Sequence, residues 1–321
     1  MIPLTRRSLL AGAAATAATP MIARAAAPRA GRQGPGVYRY RLGDFELTAL
    51  YDGVWYQKIE ANIVRNASRA DVGKALSDAF LAPDVLPISF TALLVNTGSK
   101  LVLIDTGTAG QITDTAGALN DNLAVAGVKP SDIDIIVISH FHPDHINGIK
   151  TKDGDRVFAN AEIKIPEPEW AFWMDEANLH RNEGSKSLHL YFLNARRIFR
   201  DIAKDVTRFR PGAEVAPGIG SIAAYGHTPG HCAFTVNSGS QSLLVISDAA
   251  RLPYLFVRHP EWQPAFDMDG PLAVQTRKTL LDRAAADRMM VQGYHFPFPG
   301  NGHIVRTTTG FELVQTMWQP L

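Results

Sequence analysis

The stretch SHFHPDHING, residues 139–148, limits what this chain can be more than any other part of the sequence. It places His140, His142, Asp144 and His145 within six residues, directly after the apolar run of DIIVISH. Such a β-branched run is typical of a strand that is buried on both faces. The histidines therefore occupy a loop at a strand end. A solvated polar loop is the alternative, but three of the chain's 10 histidines lie here, which favours a metal site.

The spacing within this loop indicates two ions rather than one. Imidazole nitrogens and carboxylate oxygens are common ligands of zinc-like ions. His140 and His142 are two residues apart, so an extended segment can direct both at one ion. Pro143 bends the chain and can turn Asp144 and His145 toward a second ion. One loop cannot complete two sites, so other segments must supply further ligands.

Three later segments offer those ligands. YGHTPGHCAF contains His227 and His231 just ahead of a strand, and VISDAA ends a strand at Asp248, whose carboxylate could bridge two ions. GYHFPFPGNGHI contains His295 and His303.

From Val37 onward, short β-like runs alternate with helical patterns, which predicts one α/β catalytic domain over residues 37–321. FTALLVNTGSKLVLIDTG predicts a hairpin of strands 90–95 and 101–105, and SKSLHLYFLNARRIFRDIAKD predicts a helix. FTVNSGSQSLLVISD repeats the layout of LLVNTGSKLVLID, with Asp105 and Asp248 in matching positions. The repeat predicts two similar half-domains whose strand ends face one ligand site.

The first 27 residues indicate a Tat-type export signal. TRRSLLAGAAATAATPMIARAAAP has paired Arg6 and Arg7, an alanine-rich stretch, and the A-x-A-like sequence at 23–25. A membrane anchor is the alternative, but the stretch is short and Pro20 interrupts it. We expect a linker at residues 28–36 and a periplasmic or secreted protein.

The overall charge disfavours polyanionic partners. A formal net charge of +1 provides no basic field for nucleic acid, and neither nucleic-acid nor membrane partners are expected. The single cysteine, Cys232, excludes an intramolecular disulfide. We therefore expect a small-molecule substrate.

Taken together, LIDTG, H-x-H-x-D-H, GHTPGH, a strand-end aspartate and a late histidine resemble the metallo-β-lactamase superfamily. RLGDFELTALYDG, HPDHING and GNGHI are similar to the methyl parathion hydrolase group within it. The resemblance implies an α/β fold, the αβ/βα four-layer sandwich with two similar half-domains. It also implies two divalent metal ions per chain, with Zn²⁺ expected, and is compatible with a homodimer.

The resemblance also implies a role for each candidate residue. The first ion would be held by His140, His142 and His231, the second by Asp144, His145 and His295, and Asp248 would bridge them. Within GHTPGH, His227 is expected to act indirectly, and His295 is preferred to His303. Asp105 is expected to orient the ligands through hydrogen bonds.

These roles predict hydrolysis by a hydroxide shared between the ions. Two ions lower the pKa of water toward about 7, and Asp144 and Asp248 would orient the hydroxide. The segment EWAFWMDEANL predicts that Phe172 and Trp173 line an aromatic substrate pocket, and Arg251 is a further pocket candidate. Core aromatics at a helix start are the alternative. We expect hydrolysis of aryl esters or lactones, with organophosphate triesters as further substrates.

Rival functions share parts of the pattern. Acyl-homoserine lactonases have the same ligand set, but those considered carry a tyrosine three residues after the bridging aspartate, where this chain has Arg251. A class B β-lactamase is disfavoured by Asp248, and a single-iron dioxygenase by the complete second set of ligands. A glyoxalase II-like thioesterase, a ribonuclease-type relative and a metal-binding protein without turnover are the remaining alternatives.

Overall fold

Two seven-stranded sheets dominate the part of the chain that the computed structural model describes, residues 29–31 and 33–321. The first sheet runs in chain order: β1 (Val37–Leu42), β2 (Phe45–Lys58), β3 (Val85–Asn96), β4 (Leu101–Ile104), β5 (Ile135–Val137), β6 (Glu162–Pro166) and β7 (Val206–Phe209). The second sheet also keeps chain order: β8 (Glu214–Ala216), β9 (Ile219–Ala223), β10 (Cys232–Ser238), β11 (Gln241–Ser247), β12 (Met290–Gly293), β13 (Asn301–Arg306) and β14 (Phe311–Gln315). Both sheets are mixed, since β4 to β7 pair in parallel, as do β11 and β12.

The described helices connect these strands. They are α1 (Arg69–Asp78), α2 (Leu119–Val125), α3 (Pro143–Ile146), α4 (Glu167–Trp173), α5 (Glu176–Arg181), α6 (Lys186–Phe199) and α7 (Gly270–Ala286). Short 3₁₀ turns occupy Pro130–Asp132, Asn147–Ile149 and Ala203–Asp205, and a π turn occupies Pro253–Val257. Among the described residues, none of the helices is both long and apolar enough to cross a bilayer.

Alternating side chains along the strands build a core on each face of each sheet. Val102 and Ile104 of β4 pack between the sheets together with Leu243 and Val245 of β11. Leu103 faces the helices on the outside of the first sheet, and Leu244 and Ile246 face α7 on the outside of the second. This period of two follows from the pleat of a β-strand. The result is helices, sheet, sheet and helices, which confirms the predicted αβ/βα sandwich.

The internal sequence repeat corresponds to equivalent places in the two sheets. β4 pairs antiparallel with β3 and parallel with β5, and β11 has the same relation to β10 and β12. Asp105 directly follows β4, and Asp248 directly follows β11. The chain leaves both strands through a non-glycine residue with positive φ, Asp105 at 61° and Ser247 at 45°. Such backbone is uncommon outside glycine and clusters at functional sites.

The predicted elements are present with different bounds. The hairpin's first strand extends over Val85–Asn96, beyond the expected 90–95, and the strand before His140 is only three residues long. Residues 35–321 form one compact unit. The predicted export signal lies outside the described residues, and the proposed division at residues 27 and 36 stays a prediction.

Candidate metal centre

The predicted ligands meet where strands of both sheets end. His140 lies three residues beyond β5, Asp248 follows β11, and His295 lies two residues beyond β12. Two parallel strand pairs, β4 with β5 and β11 with β12, thus end at the same edge. Since the two half-domains have equivalent layouts, their strand ends bring loops from distant parts of the chain to one place.

Three imidazoles and one carboxylate form the first donor group. The Nδ1 of His142 lies 3.0 Å from the Nε2 of His140 and 3.0 Å from the Nε2 of His227. The Oδ2 of Asp248 lies 3.3 Å from the Nε2 of His227. Donors around a tetrahedral zinc-like ion are separated by about 3.3 Å, given metal–nitrogen bonds near 2.0–2.1 Å. These four side chains therefore have the separation of ligands to one ion.

Asp144, His145 and His295 form the second donor group. The Nε2 of His145 lies 3.3 Å from the Oδ2 of Asp144, and the Nε2 of His295 lies 3.5 Å from the same oxygen. The carboxylate of Asp248 contacts this group too, with Oδ1 3.2 Å from His145 and Oδ2 2.9 Å from His295. Asp248 thus lies between the two groups, where it can bridge two ions.

Unpartnered buried atoms provide the test of whether an ion fits. Among the described residues, the Nε2 of His145 and the Oδ1 of Asp248 are buried and have no hydrogen-bond partner. Leaving such groups unsatisfied costs about 1–3 kcal/mol each. A divalent ion between them would satisfy both, because each presents a lone pair to the same space. The donor set of nitrogens and carboxylate oxygens fits two zinc-like ions.

The outward-facing nitrogens are held by hydrogen bonds that fix each ring. The Nδ1–H of His145 donates to the Oδ2 of Asp105, that of His227 to the Oδ1 of Asp267, and that of His295 to the carbonyl of Ser89, each at 2.8 Å. The Nδ1–H of His140 donates to the Oγ of Ser139 at 3.0 Å. These partners leave a lone pair on each inward-facing Nε2, which is the form a metal ion needs. Asp105 therefore orients His145 directly and His140 through the hydroxyl of Ser139, which donates to Oδ2 of Asp105 at 2.8 Å.

The structure reverses the roles expected for the two histidines of GHTPGH. His231 donates its Nδ1–H to the carbonyl of Ala224 at 2.8 Å, and its Nε2 accepts the backbone N–H of Asp248 at 3.2 Å. Both of its ring nitrogens are therefore occupied by protein. The cause is local: His231 directly precedes β10, whose pairing with β9 brings Ala224 against the ring. His227 instead lies in the tight turn and directs its Nε2 inward, so the preference for His231 as a ligand was wrong.

Electrostatics favour the metal-binding form of His140 and Asp248. Burial, reinforced by the neighbouring His145, lowers the pKa of His140 well below its usual value, which favours the neutral imidazole. Burial opposes ionisation of Asp248, but His295 and His145 nevertheless hold the pKa of this carboxyl well below its usual range. A neutral imidazole such as His140 beside an ionised carboxylate such as Asp248 is what a divalent ion binds. At His145, by contrast, burial opposes protonation, but Asp144 and Asp248 outweigh it and raise the pKa, so an ion would displace a proton from this ring.

A buried carboxylate that the sequence did not reveal joins two of the ligand loops. The Oε1 of Glu169 accepts the backbone N–H of Phe141 at 2.9 Å and the indole N–H of Trp173 at 2.6 Å. Its Oε2 accepts the hydroxyl of Thr228 and the backbone N–H of Gly230, both at 2.8 Å. Glu169 thus fixes the His140–His142 loop against the turn that contains His227. A Cβ at Gly230 would lie only 2.1 Å from the backbone nitrogen of Glu169, so this approach requires glycine.

A cavity of about 390 Å³ opens beside the donor groups. Its aromatic wall consists of Trp55, Phe90, Tyr191 and Phe266, and its polar wall includes Gln111, Asn147, Asn194, Arg197 and Arg251. A second cleft of about 730 Å³ shares Trp55, His142, Tyr191 and Phe266 with it. The site is therefore accessible to a small molecule with an extended substituent.

Of the three residues expected to line the substrate pocket, two lie in the hydrophobic core and one lines the cavity. Trp173 is fully buried and packs against Phe192 of α6, with ring centroids 4.7 Å apart. Phe172 also packs against Phe192, at 5.3 Å. Neither lines the cavity, so the prediction was wrong and the alternative of core aromatics is correct. Arg251 does line the cavity, whereas His303 lies exposed on β13, away from the donor groups.

The two stacked sheets and the double donor group at their shared edge define a metal-dependent hydrolase. Residues 88–295 match the family model of the metallo-β-lactamase superfamily, and the chain belongs to this superfamily.

Three proteins illustrate what the chain is similar to. An N-acyl homoserine lactonase of Bacillus thuringiensis is 25% identical over 237 residues, which cover 68% of this chain and 85% of that protein. The hydrolase AbOPH of the β-lactamase superfamily is 27% identical, with a TM-score of 0.84 over 90% of this chain and 100% of that one. AidC, a dizinc quorum-quenching lactonase solved with the product N-hexanoyl-L-homoserine, is 28% identical, with a TM-score of 0.84 over 89% of this chain and 99% of that one.

Proposed function

We propose that this protein is a two-metal lactonase that opens the ring of N-acyl homoserine lactones. The observation that carries the proposal is the double donor group, bridged by Asp248, at the floor of an aromatic cavity. The lactonase of B. thuringiensis and AidC support this substrate class. They favour the lactonase alternative over the aryl-ester and organophosphate activity that the sequence first suggested.

The metal ions supply the chemistry that side chains cannot. Two divalent ions, when bound, acidify water and polarise a carbonyl oxygen. His140, His142, His227 and Asp248 would hold one of them, and Asp144, His145, His295 and Asp248 the other. Zinc is proposed because the donors are nitrogens and carboxylate oxygens and because AidC is a dizinc enzyme.

Asp144 has the position of a proton acceptor. Its side chain is 14% exposed and lines the cavity, whereas Asp248 is 1% exposed. Burial opposes ionisation of Asp144, but His145 keeps its pKa below the usual value, so the carboxylate is ionised and its other oxygen, not the Oδ2 directed at the second ion, can take a proton. We propose that Asp144 accepts the proton released when water adds to the lactone and returns it to the departing ring oxygen.

The two clefts suit the two parts of such a substrate. The aromatic wall of the 390 Å³ cavity would exclude water from the lactone ring. The adjoining cleft of about 730 Å³ includes the apolar side chains of Ile63, Leu188 and Met268 and would accommodate the acyl chain.

Comparative turnover tests the function. The mature protein, loaded with zinc, should hydrolyse N-hexanoyl-L-homoserine lactone at least tenfold more efficiently, by kcat/KM, than dihydrocoumarin, p-nitrophenyl acetate or methyl paraoxon. Preference for methyl paraoxon would instead favour the methyl parathion hydrolase-like alternative, which stays a prediction. Absence of turnover for all four substrates, with zinc bound, would contradict a hydrolase of this class.

We also propose that the protein is exported as a folded enzyme. The support is the Arg6–Arg7 pair and the small-residue segment at 23–25. Arg6→Lys/Arg7→Lys should retain the full-length chain in the cytoplasmic fraction, while the natural sequence should give a shortened periplasmic form. Equal fractionation of the two forms would contradict the proposal.

A further inference from the structure

We propose that Arg251 is a catalytic residue that binds the carboxylate produced by hydrolysis and the oxyanion that precedes it. This role rests on the proposed function for its natural substrate, although the anion site itself follows from the geometry of Arg251. The residue lies three positions after Asp248, lines the 390 Å³ cavity and is only 6% exposed.

The guanidinium of Arg251 has unused donors. Its Nε lies 3.5 Å from the Oδ2 of Asp248, which is too long for a strong charge-assisted hydrogen bond. No other carboxylate among the described residues lies within 4.0 Å of it, and none of those residues accepts a hydrogen bond from it. A largely buried cation thus faces the cavity with N–H groups that the protein does not satisfy.

Other buried arginines are used differently. Arg277 donates to the carbonyls of Ala249, Pro260 and Trp262 and to the carboxylate of Asp267, which uses four of its five N–H donors. Arg196 donates to the carbonyls of Met174 and Asp175 and lies 3.4 Å from the carboxylate of Glu176. Arg251 differs from both in having its donors free for a ligand.

The ring of Phe266 packs against the guanidinium of Arg251. The guanidinium carbon of Arg251 lies 4.4 Å from the centroid of Phe266, which places a cation over an aromatic face. This cation–π contact restricts the guanidinium beside the cavity, and a guanidinium can bind a planar anion with two parallel hydrogen bonds. A carboxylate has the matching geometry.

The reaction creates such an anion beside Asp248. A bond forms between the water oxygen and the carbonyl carbon, and the carbonyl π electrons move to its oxygen, giving the oxyanion. The bond between that carbon and the ring oxygen then breaks, and the ring oxygen keeps the electron pair and takes a proton. The product is a hydroxy-carboxylate, and one proton is released to solvent. Arg251 would gain its full hydrogen bonds only as negative charge develops, which favours the transition state.

Carboxylate binding tests this role apart from turnover. We would measure the affinity of zinc-loaded protein for benzoate and for N-hexanoyl-L-homoserine by calorimetry, in the natural protein, Arg251→Gln and Arg251→Lys. We expect Arg251→Gln to weaken both ligands at least tenfold with an unchanged zinc content, and Arg251→Lys to weaken them less. The control is Arg258→Gln, an exposed arginine that pairs with Glu312, which should bind as the natural protein does.

The outcomes separate this inference from the proposed function. If lactone is hydrolysed but benzoate binds equally well to the natural protein and Arg251→Gln, the role of Arg251 is overturned and the lactonase stands. If no lactone is hydrolysed but benzoate binding still falls tenfold in Arg251→Gln, the lactonase is overturned and the anion site stands. Absence of benzoate binding to the natural protein would overturn the anion site.

Discussion

The Nδ1 of His227 lies 2.8 Å from the Oδ1 of Asp267, and this contact determines which nitrogen the ring presents to the metal centre. The Oδ2 of the same carboxylate accepts a hydrogen bond from Arg277 of α7 at 2.9 Å. Both Asp267 and Arg277 are buried, and Arg277 is held in turn by backbone carbonyls. Helix α7 is therefore connected to a candidate metal ligand through one continuous set of hydrogen bonds.

The two histidines of GHTPGH should respond differently to substitution. His227→Ala should lose about one zinc per chain and more than a hundredfold in kcat/KM, since it removes a nitrogen of the first donor group. His231→Ala should keep both ions, because its nitrogens bind Ala224 and the backbone of Asp248. Metal analysis of the two variants checks this. Loss of an ion in His231→Ala alone would restore the assignment first made from the sequence.

Asp267→Asn should weaken metal binding and lower stability together. The change leaves the charge of Arg277 buried without its partner, which typically costs about 3–5 kcal/mol of unfolding free energy. It also loosens His227, and loss of such a partner lowers metal affinity about 10–100-fold. Denaturant unfolding and competition with a zinc chelator measure the two effects. Asp282→Asn is the control, since Asp282 pairs with Arg306 at the surface; an equal loss in both variants would contradict this account.

Glu169→Gln should destabilise the loops that contain the candidate metal ligands, although it replaces none of those ligands. Two of the four donors around Glu169 would face an amide N–H₂ instead of an oxygen, and a buried unsatisfied pair costs about 1–3 kcal/mol. Glu167→Gln, two residues earlier on the exposed side of α4, is the matched control. Hydrogen exchange of the Phe141 and Gly230 amides should accelerate only in Glu169→Gln. Unchanged exchange there would show that Glu169 does not hold the loops.

Substitution of Trp55 should affect substrate binding, whereas substitution of Trp173 should affect the stability of the fold. Trp55 is half-buried and borders both clefts, so Trp55→Ala should raise KM for N-acyl homoserine lactones with little change in stability. Trp173 is fully buried, so Trp173→Ala should cost about 3–5 kcal/mol of stability. Steady-state kinetics and thermal unfolding of both variants provide the check. A selective KM effect in Trp173→Ala, at unchanged stability, would contradict the cavity described here.

The sequence predicted well those parts of the site whose residues lie close together along the chain. His140 and His142 lie in the loop after β5, whereas Asp144 and His145 lie in the short helix α3, which begins at Pro143. The repeat of Asp105 and Asp248 also predicted the two half-domains, because similar strand patterns occupy equivalent places in the two sheets.

What the sequence did not predict depends on contacts across the fold. The choice between His227 and His231 depends on Asp267, which contacts His227 from the loop before α7, and on Ala224, which contacts His231 from the position directly after β9. The inward packing of Trp173 depends on Phe192 of α6 and on Glu169. Neither set of contacts is indicated by the periodicity or the spacing of residues along the sequence. A carboxylate directly before a tryptophan-rich run, as at Glu169, is interpreted as a surface residue until its four hydrogen-bond donors are known.

The most direct test of the account is the metal content of the mature protein, measured by elemental mass spectrometry on samples purified without added metal and after reloading with zinc. We expect two zinc-like ions per chain and loss of hydrolysis when a chelator removes them. One iron per chain, with no hydrolysis after reloading with zinc, would contradict it and indicate the redox chemistry of a single-iron site.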